Sequence, residues 1–440
     1  MIAAELLAGI KTIIPEELIE EGIYDPFLGN NGKIVVSPIN EHDIASVLKF
    51  ANENVKKVNV ISGGTKKGYG GIEASADILL SMANYKGIIE HTVGDMTVTV
   101  KAGTGFKELQ DYLDEYKQKI PLDPAWPTEA TIGGVIAAND SGPKRLSYGS
   151  ARDLVIGSRI VYPNGSIIRT GGKTVKNVAG YDMNKLFIGS MGTLGVISEV
   201  TLKLRPLHKF EGLILLSFPD GNLNEIRTFI VNLLDSVMEP VAFELLGPTL
   251  AEKLTGLPSY TLAISFEDVE SSVRFQIGFV KDHQPQNTKL SILEQNDSKA
   301  FWSSLYKISP NGCLSTSGKE TWAALKIGVK NLDVIWVIKE TQLLQDIYNL
   351  NVVAHGGLGH GLCQINFTGT SEDVVSAIKH LRIFVENQGG YAIVKHLPLT
   401  LRRQIEVWGE KPAHFFLLEG IKTKVDPNRI LNHKRFVGGI

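Results

Sequence analysis

Cysteine is scarce in this sequence. There are two, Cys313 and Cys363, and no CxxC spacing. That excludes a cysteine-held zinc or iron–sulfur centre within the chain and argues for a reducing compartment. Long apolar runs are also missing: none approaches the roughly 20 residues needed to span a bilayer. Charge of one sign is lacking as well, since the formal net charge is −2, and no electrostatic pull toward nucleic acid follows from it. The opening residues, MIAAELLAGIKTIIPEELIEE, have no basic start and meet acid early, unlike a secretory signal. The expectation is a cytoplasmic chain that reaches a membrane only through a partner. Hydrophobic residues make up 43% and charged residues 21%, an ordinary globular balance with length enough for two or three cores.

What the chain does have is glycine set among apolar residues. Residues 171–200 read GGKTVKNVAGYDMNKLFIGSMGTLGVISEV, with Gly189, Gly192 and Gly195 between two short buried runs. Such spacing marks sharp bends or close approach by another body, either a large flat ligand or simply a packed turn. Earlier, Lys33–Ser37 reads as a strand, Glu41–Asn54 as a helix and Val58–Ser62 as a second strand, the pattern of an α/β unit. Residues 4–21 read as an amphipathic helix. Directly after the second strand comes SGGTKKGYGG, residues 62–71. Its glycines expose successive amides that suit a pyrophosphate, although a plain hairpin loop has the same composition. It fits neither the Rossmann nor the Walker spacing.

Further along, TIGGVIAANDSG at residues 131–142 predicts a helix whose glycine-rich start aims free amides at a ligand. Asn164-Gly165 between apolar runs predicts a hairpin. After Pro206, strands and amphipathic helices alternate twice, for example at 212–217, 225–236 and 242–246, as in an α+β domain with an antiparallel sheet.

Together, SGGTKKGYGG, TIGGVIAANDSG, YGSARDLVIG and GYDMNKLFIGSMGTLGVI resemble, in that order, the FAD domain of vanillyl-alcohol oxidase-type (PCMH-type) flavoproteins. The likeness is greatest to their glycolate oxidase and D-lactate dehydrogenase branch. It implies an α+β fold: an N-terminal helical segment at 1–29, a two-subdomain PCMH-type FAD-binding domain at 30–206, an α+β cap with an antiparallel sheet at 207–420, and a segment at 421–440 that returns to the FAD domain. It also places FAD contacts at Ser62, Gly63, Gly64, Thr65, Lys66 and Lys67. Further contacts fall at Thr131, Ile132, Gly133, Gly134, Ala137 and Asn139, and at Gly195, Val196 and Ile197. The flavin is expected to be non-covalent, because Thr65 stands where relatives that attach it carry His.

Oxidation of a 2-hydroxy acid needs a base, cations for the carboxylate and a flavin acceptor. Arg152, His355 and His396 are the candidate catalytic residues, Arg152 as the cation beside the flavin motif. Relatives that use a metal carry an HxGxGxxH-like segment and a later Glu-His pair. Here Leu362 and Lys395 occupy two of those places, so no metal is expected. The loss of that pattern is similar to the FAD-binding accessory subunits of bacterial glycolate oxidase. It implies a small 2-hydroxy acid as substrate, an iron–sulfur partner and a second flavoprotein subunit. A non-catalytic, FAD-holding electron-transfer subunit is the alternative.

Overall fold

The computed structural model describes residues 2–22, 24–172, 181–313 and 320–440. Residues 173–180 of the glycine-rich 171–200 stretch lie outside the described residues. The first sheet holds β1 (Ile19–Glu21), β2 (Asn31–Val36), β3 (Val58–Ile61) and β4 (Ser75–Ser81) in the order β1-β2-β4-β3, with β2, β4 and β3 parallel. The expected first helix is shorter than its periodicity predicts. Helix α1 spans Ile2–Lys11, and the chain past Pro15 becomes β1, which pairs with β2. Proline has no amide to continue the ladder, and strand pairing takes over. Helix α2 (Glu41–Glu53) starts where predicted, Asn40 accepting from the Asp43 amide, and buries Ile44, Val47, Leu48 and Ala51.

The second sheet is antiparallel. It contains β5 (Ile88–Thr92), β6 (Thr97–Lys101), β8 (Val155–Val161), β9 (Ile167–Gly171) and β10 (Val196–Lys203), ordered β5-β6-β10-β8-β9. A two-residue β7 (Gln118–Lys119) pairs with β11 (Arg205–Pro206) outside it. The β8–β9 hairpin turns at Asn164-Gly165, where Gly165 takes φ +81° and its amide donates to Tyr162. Helices α3 (Phe106–Glu115) and α4 (Ile132–Ala138) complete this half. One core joins the two sheets, and it includes Leu6, Ile10 and Ile14 from the N-terminus and Ile430 and Leu431 from the tail.

The remainder forms one antiparallel sheet from β12 (Phe210–Phe218), β13 (Ala242–Leu246), β14 (Tyr260–Asp268), β15 (Lys289–Glu294), β16 (Thr321–Gly328), β17 (Asn351–Gly357), β18 (Leu362–Gly369) and β19 (Tyr391–His396). Its order, β15-β12-β14-β13-β17-β18-β16-β19, resolves into two βαββαβ halves of mirrored order joined through β13 and β17. Helices Leu223–Leu234, Glu270–His283, Val334–Ile347 and Ser371–Glu386 cover one face, over a continuous core. On the opposite face, helices Pro248–Thr255 and Asn296–Leu305 cover the first half over Leu213, Leu215 and Ala263. The second half presents its open face to the FAD-type domain.

Buried ion pairs fix the two domains together. Lys144 reaches Glu267 at 2.5 Å and Glu211 at 3.0 Å, and Lys119 reaches Glu267 at 2.5 Å. Burial alone would raise the Glu267 carboxyl, yet Lys144 and Lys119 hold it well below the usual range.

Candidate active site

A cleft opens between the two sheets of the first domain. Its walls are the loop after β3, the α4 segment, and the turn before β10. Ser62, Gly63, Gly64, Thr65, Lys66, Lys67, Thr131, Gly133, Gly134, Ala137, Gly195, Val196 and Ile197 all line it. Ile132 points into the core instead, and Asn139 caps α4 with φ +46°.

The loop at 62–67 has the form that a diphosphate requires. Among the described residues, the amides of Gly63, Gly64, Thr65 and Lys66 meet no acceptor, and the buried Ser62 hydroxyl has no partner. Backbone donors left free on one side of a glycine loop form an anion cradle. The side chains of Lys66 and Lys67 do not add free charge. Lys66 pairs with Asp140 at 3.0 Å and Lys67 with Asp25 at 3.0 Å.

Helix α4 corrects an expectation. Its first amides are not free: Ile132 donates to the Thr104 carbonyl, Gly133 to that of Ala102 and Gly134 to the Thr131 hydroxyl. Gly133 is required by packing, since a Cβ there would stand 2.7 Å from that of Ala102. Gly134 is the residue that keeps the cleft open, for a Cβ there would meet only Thr131 Oγ1, at 3.2 Å.

Above the cleft, Asp140 connects three elements. It follows α4, binds Lys66 of the glycine loop, and accepts from Lys395 of β19 at 2.9 Å. Burial opposes its ionisation, but Lys395 and Lys66 hold the carboxyl far below its ordinary value. Lys326 lies on the same open face of the sheet, alternating with the core residues Leu325 and Ile327. It has no ion-pair partner among the described residues. Burial, with the charge of Lys395 beside it, pushes its ammonium down to about 8. Cross-strand register then runs from Lys326 to Gln364 to His355.

His355 is held at the seam of the two halves, where its Nδ1 donates to Glu244 Oε2 at 2.7 Å. His360 Nε2 stands 3.5 Å from the other oxygen of Glu244. Burial would raise this carboxyl, and the two imidazoles hold it below its usual value. His396 is placed differently. It is buried against Gly68 at the back of the glycine loop, and burial pushes it down to about 4. Arg152 is not at the cleft: it is exposed and donates to the Lys185 carbonyl at 2.9 Å. Its neighbour Asp153 is occupied in a capping box with Ser150.

Lys326, Glu244 and Asp140 escaped the motif-based reading. The signal available for the first two was a single charge in an otherwise apolar strand, LKIG and AFELL. Among the described residues no group of three or more His, Cys, Asp or Glu could hold a metal ion.

The fold and the cleft define the class, a PCMH-type FAD-binding fold followed by an α+β domain. Residues 32–171 match a family described as an FAD binding domain. The chain is an FAD-dependent oxidoreductase with relatives among the D-lactate dehydrogenases and glycolate oxidase subunits. It is similar to "D-lactate dehydrogenase (cytochrome), mitochondrial" of Arabidopsis thaliana, with 26% identity across 98% of this chain and 80% of that protein. It is also similar to glycolate oxidase subunit GlcE of Escherichia coli, with 36% identity across 33% of this chain and 42% of that one. In structure it resembles p-cresol methylhydroxylase, with a TM-score of 0.76 and 16% identity over 98% of this chain and 96% of that one, which shows the fold.

Proposed function

We propose that the chain oxidises a small 2-hydroxy acid of the D-lactate or glycolate kind to the 2-oxo acid. The observation that carries this reading is Lys326, a buried lysine on the open face that forms no ion pair among the described residues. A cation desolvated in this way recruits a carboxylate. Bound FAD supplies the two-electron acceptor, as it does for relatives that bear dehydrogenase names. The free amides of Gly63–Lys66 and the Ser62 hydroxyl hold the diphosphate, and Gly134, Ala137 and Gly195–Ile197 flank the rest of the cofactor. Glu244 fixes the His355 ring through Nδ1, leaving Nε2 to take the substrate hydroxyl proton. Lys395, anchored by Asp140, adds positive potential beside Lys326. His396 supports the glycine loop from behind and stays neutral at working pH.

Electrons leave through a partner iron–sulfur protein, together with a second flavoprotein subunit, because the two cysteines of this chain cannot hold a cluster. The chain works in the cytoplasm and meets a membrane only through that partner. No described helix is long and apolar enough to cross one. A second reading, an FAD-holding subunit without its own substrate, draws on the similarity to GlcE and on Leu362 and Lys395 at the metal-pattern positions.

Anaerobic mixing of the purified holoprotein with D-lactate, L-lactate and glycolate separates the readings. Bleaching of the flavin by one acid supports the enzyme, and bleaching by none supports the holding subunit. Acid precipitation is expected to leave the yellow colour in solution, since Thr65 offers no attachment. Colour in the pellet would show a covalent link.

A further inference from the structure

The glycine loop has two unlike sides. Toward the cleft its amides are free, whereas behind it the carbonyls are occupied. Arg435 donates to the carbonyls of Tyr69 at 3.3 Å, Lys66 at 3.1 Å and Val60 at 3.4 Å. Arg402 donates to Gly71 at 2.7 Å and also to Gly70 and Leu28. Both guanidiniums are buried, Arg402 being 1% and Arg435 9% exposed. Among the described residues neither has a carboxylate within ion-pair distance. The loop's own lysines, by contrast, are neutralised by Asp140 and Asp25.

Two buried cations without a directly paired carboxylate among the described residues are costly, and proteins keep such groups when something else balances them. Burial presses both down, Arg402 to about 9 and Arg435 to about 10. Arg435 itself lines the cleft. The side of the loop facing that cleft is where an anion would rest on the free amides.

We infer that Arg402 and Arg435 are the counter-charge for the diphosphate of the dinucleotide, acting through the loop whose carbonyls they hold. The inference rests on the reading of the cleft as the FAD site. It makes cofactor retention depend on two distant segments, the end of the cap at Leu399–Arg402 and the C-terminal tail. Arg435 and Arg402 are positioning residues, for they polarise the loop so that every free amide faces the ligand.

The test compares FAD, ADP and riboflavin binding to the apoprotein by fluorescence titration and competition, with Arg435→Gln as the main variant. FAD and ADP are expected to weaken alike, by about ten-fold or more, while riboflavin changes by less than about two-fold. The apo variant should melt no lower than the wild-type apoprotein, because an uncompensated cation has been removed. Unchanged FAD and ADP affinity overturns the proposal. So does an equal loss for riboflavin with a lower apo melting temperature, which marks a mere brace. If the glutamine variant does not fold, Arg435→Lys decides. Retention of FAD affinity within about three-fold supports the charge, and a loss of about ten-fold or more overturns it. Gly134→Leu fills the cleft from its other wall. If it too keeps full FAD affinity, the cleft reading has failed, and not only the charge proposal.

Discussion

The two halves of the eight-stranded sheet share one topology and differ in what covers their second face. In the first half, helices Pro248–Thr255 and Asn296–Leu305 seal it with Phe301, Trp302 and Leu305 over Leu213, Leu215 and Ala263. In the second, the same face carries Lys326, Gln364, His355 and Lys395, and Lys395 meets Asp140 of the first domain. A repeated βαββαβ unit thus serves once as closed framework and once as an open polar face toward the first domain. The difference lies in the insertions, not in the strands. Glu244 crosses the seam: it belongs to the framework half and orients a histidine of the other.

The comparison breaks most sharply at Lys326. Lys326→Met should lower kcat/KM for the 2-hydroxy acid by roughly a thousand-fold, the scale of losing a buried charge partner. Flavin content and melting temperature should stay near wild type, checked by absorbance ratio and calorimetry. Loss of FAD in this variant would instead make Lys326 structural. On the framework side, Leu213→Ala should do the reverse. Leu213 is fully buried, so its truncation should cost about 2–5 kcal/mol in chemical denaturation and leave KM unaltered.

At the seam, Glu244→Gln should reduce kcat by about ten-fold or more with KM little changed, because the His355 ring loses its anchor. A variant with normal kcat would remove His355 from the reaction. A pH-dependent effect concerns His396. Its folded value, about 4, lies below the ordinary 6.5, so the unfolded chain binds the extra proton between those limits. Stability from this residue is therefore fully present above about pH 6.5 and is lost as pH falls toward 4, by up to roughly 3 kcal/mol. His396→Gln should flatten that part of the stability curve relative to wild type, as measured by denaturant melts at several pH values.

Several elements were legible before any coordinates. Helix α2 and the β8–β9 turn follow local rules, namely a cap and an Asn-Gly pair. The glycine loop after β3 was legible as a turn rich in exposed amides, because glycine leaves the backbone uncovered. Arg152 misled, since proximity in sequence to a flavin motif says nothing of direction, and its side chain turns outward to a carbonyl. The first helix was overextended because β1 exists only by pairing with β2, a partner that periodicity does not see.

By itself the sequence determined helix α2, the β8–β9 turn and the scarcity of cysteine. Those properties reside in residues close together along the chain. Tertiary structure alone decided which charges are spent and which remain available. Lys66 and Lys67 are neutralised by Asp140 and Asp25, whereas among the described residues Lys326, Arg402 and Arg435 form no ion pair. A charge's partner, and the water removed around it, are set by strands and tails hundreds of residues apart, which is why composition and spacing could not assign them.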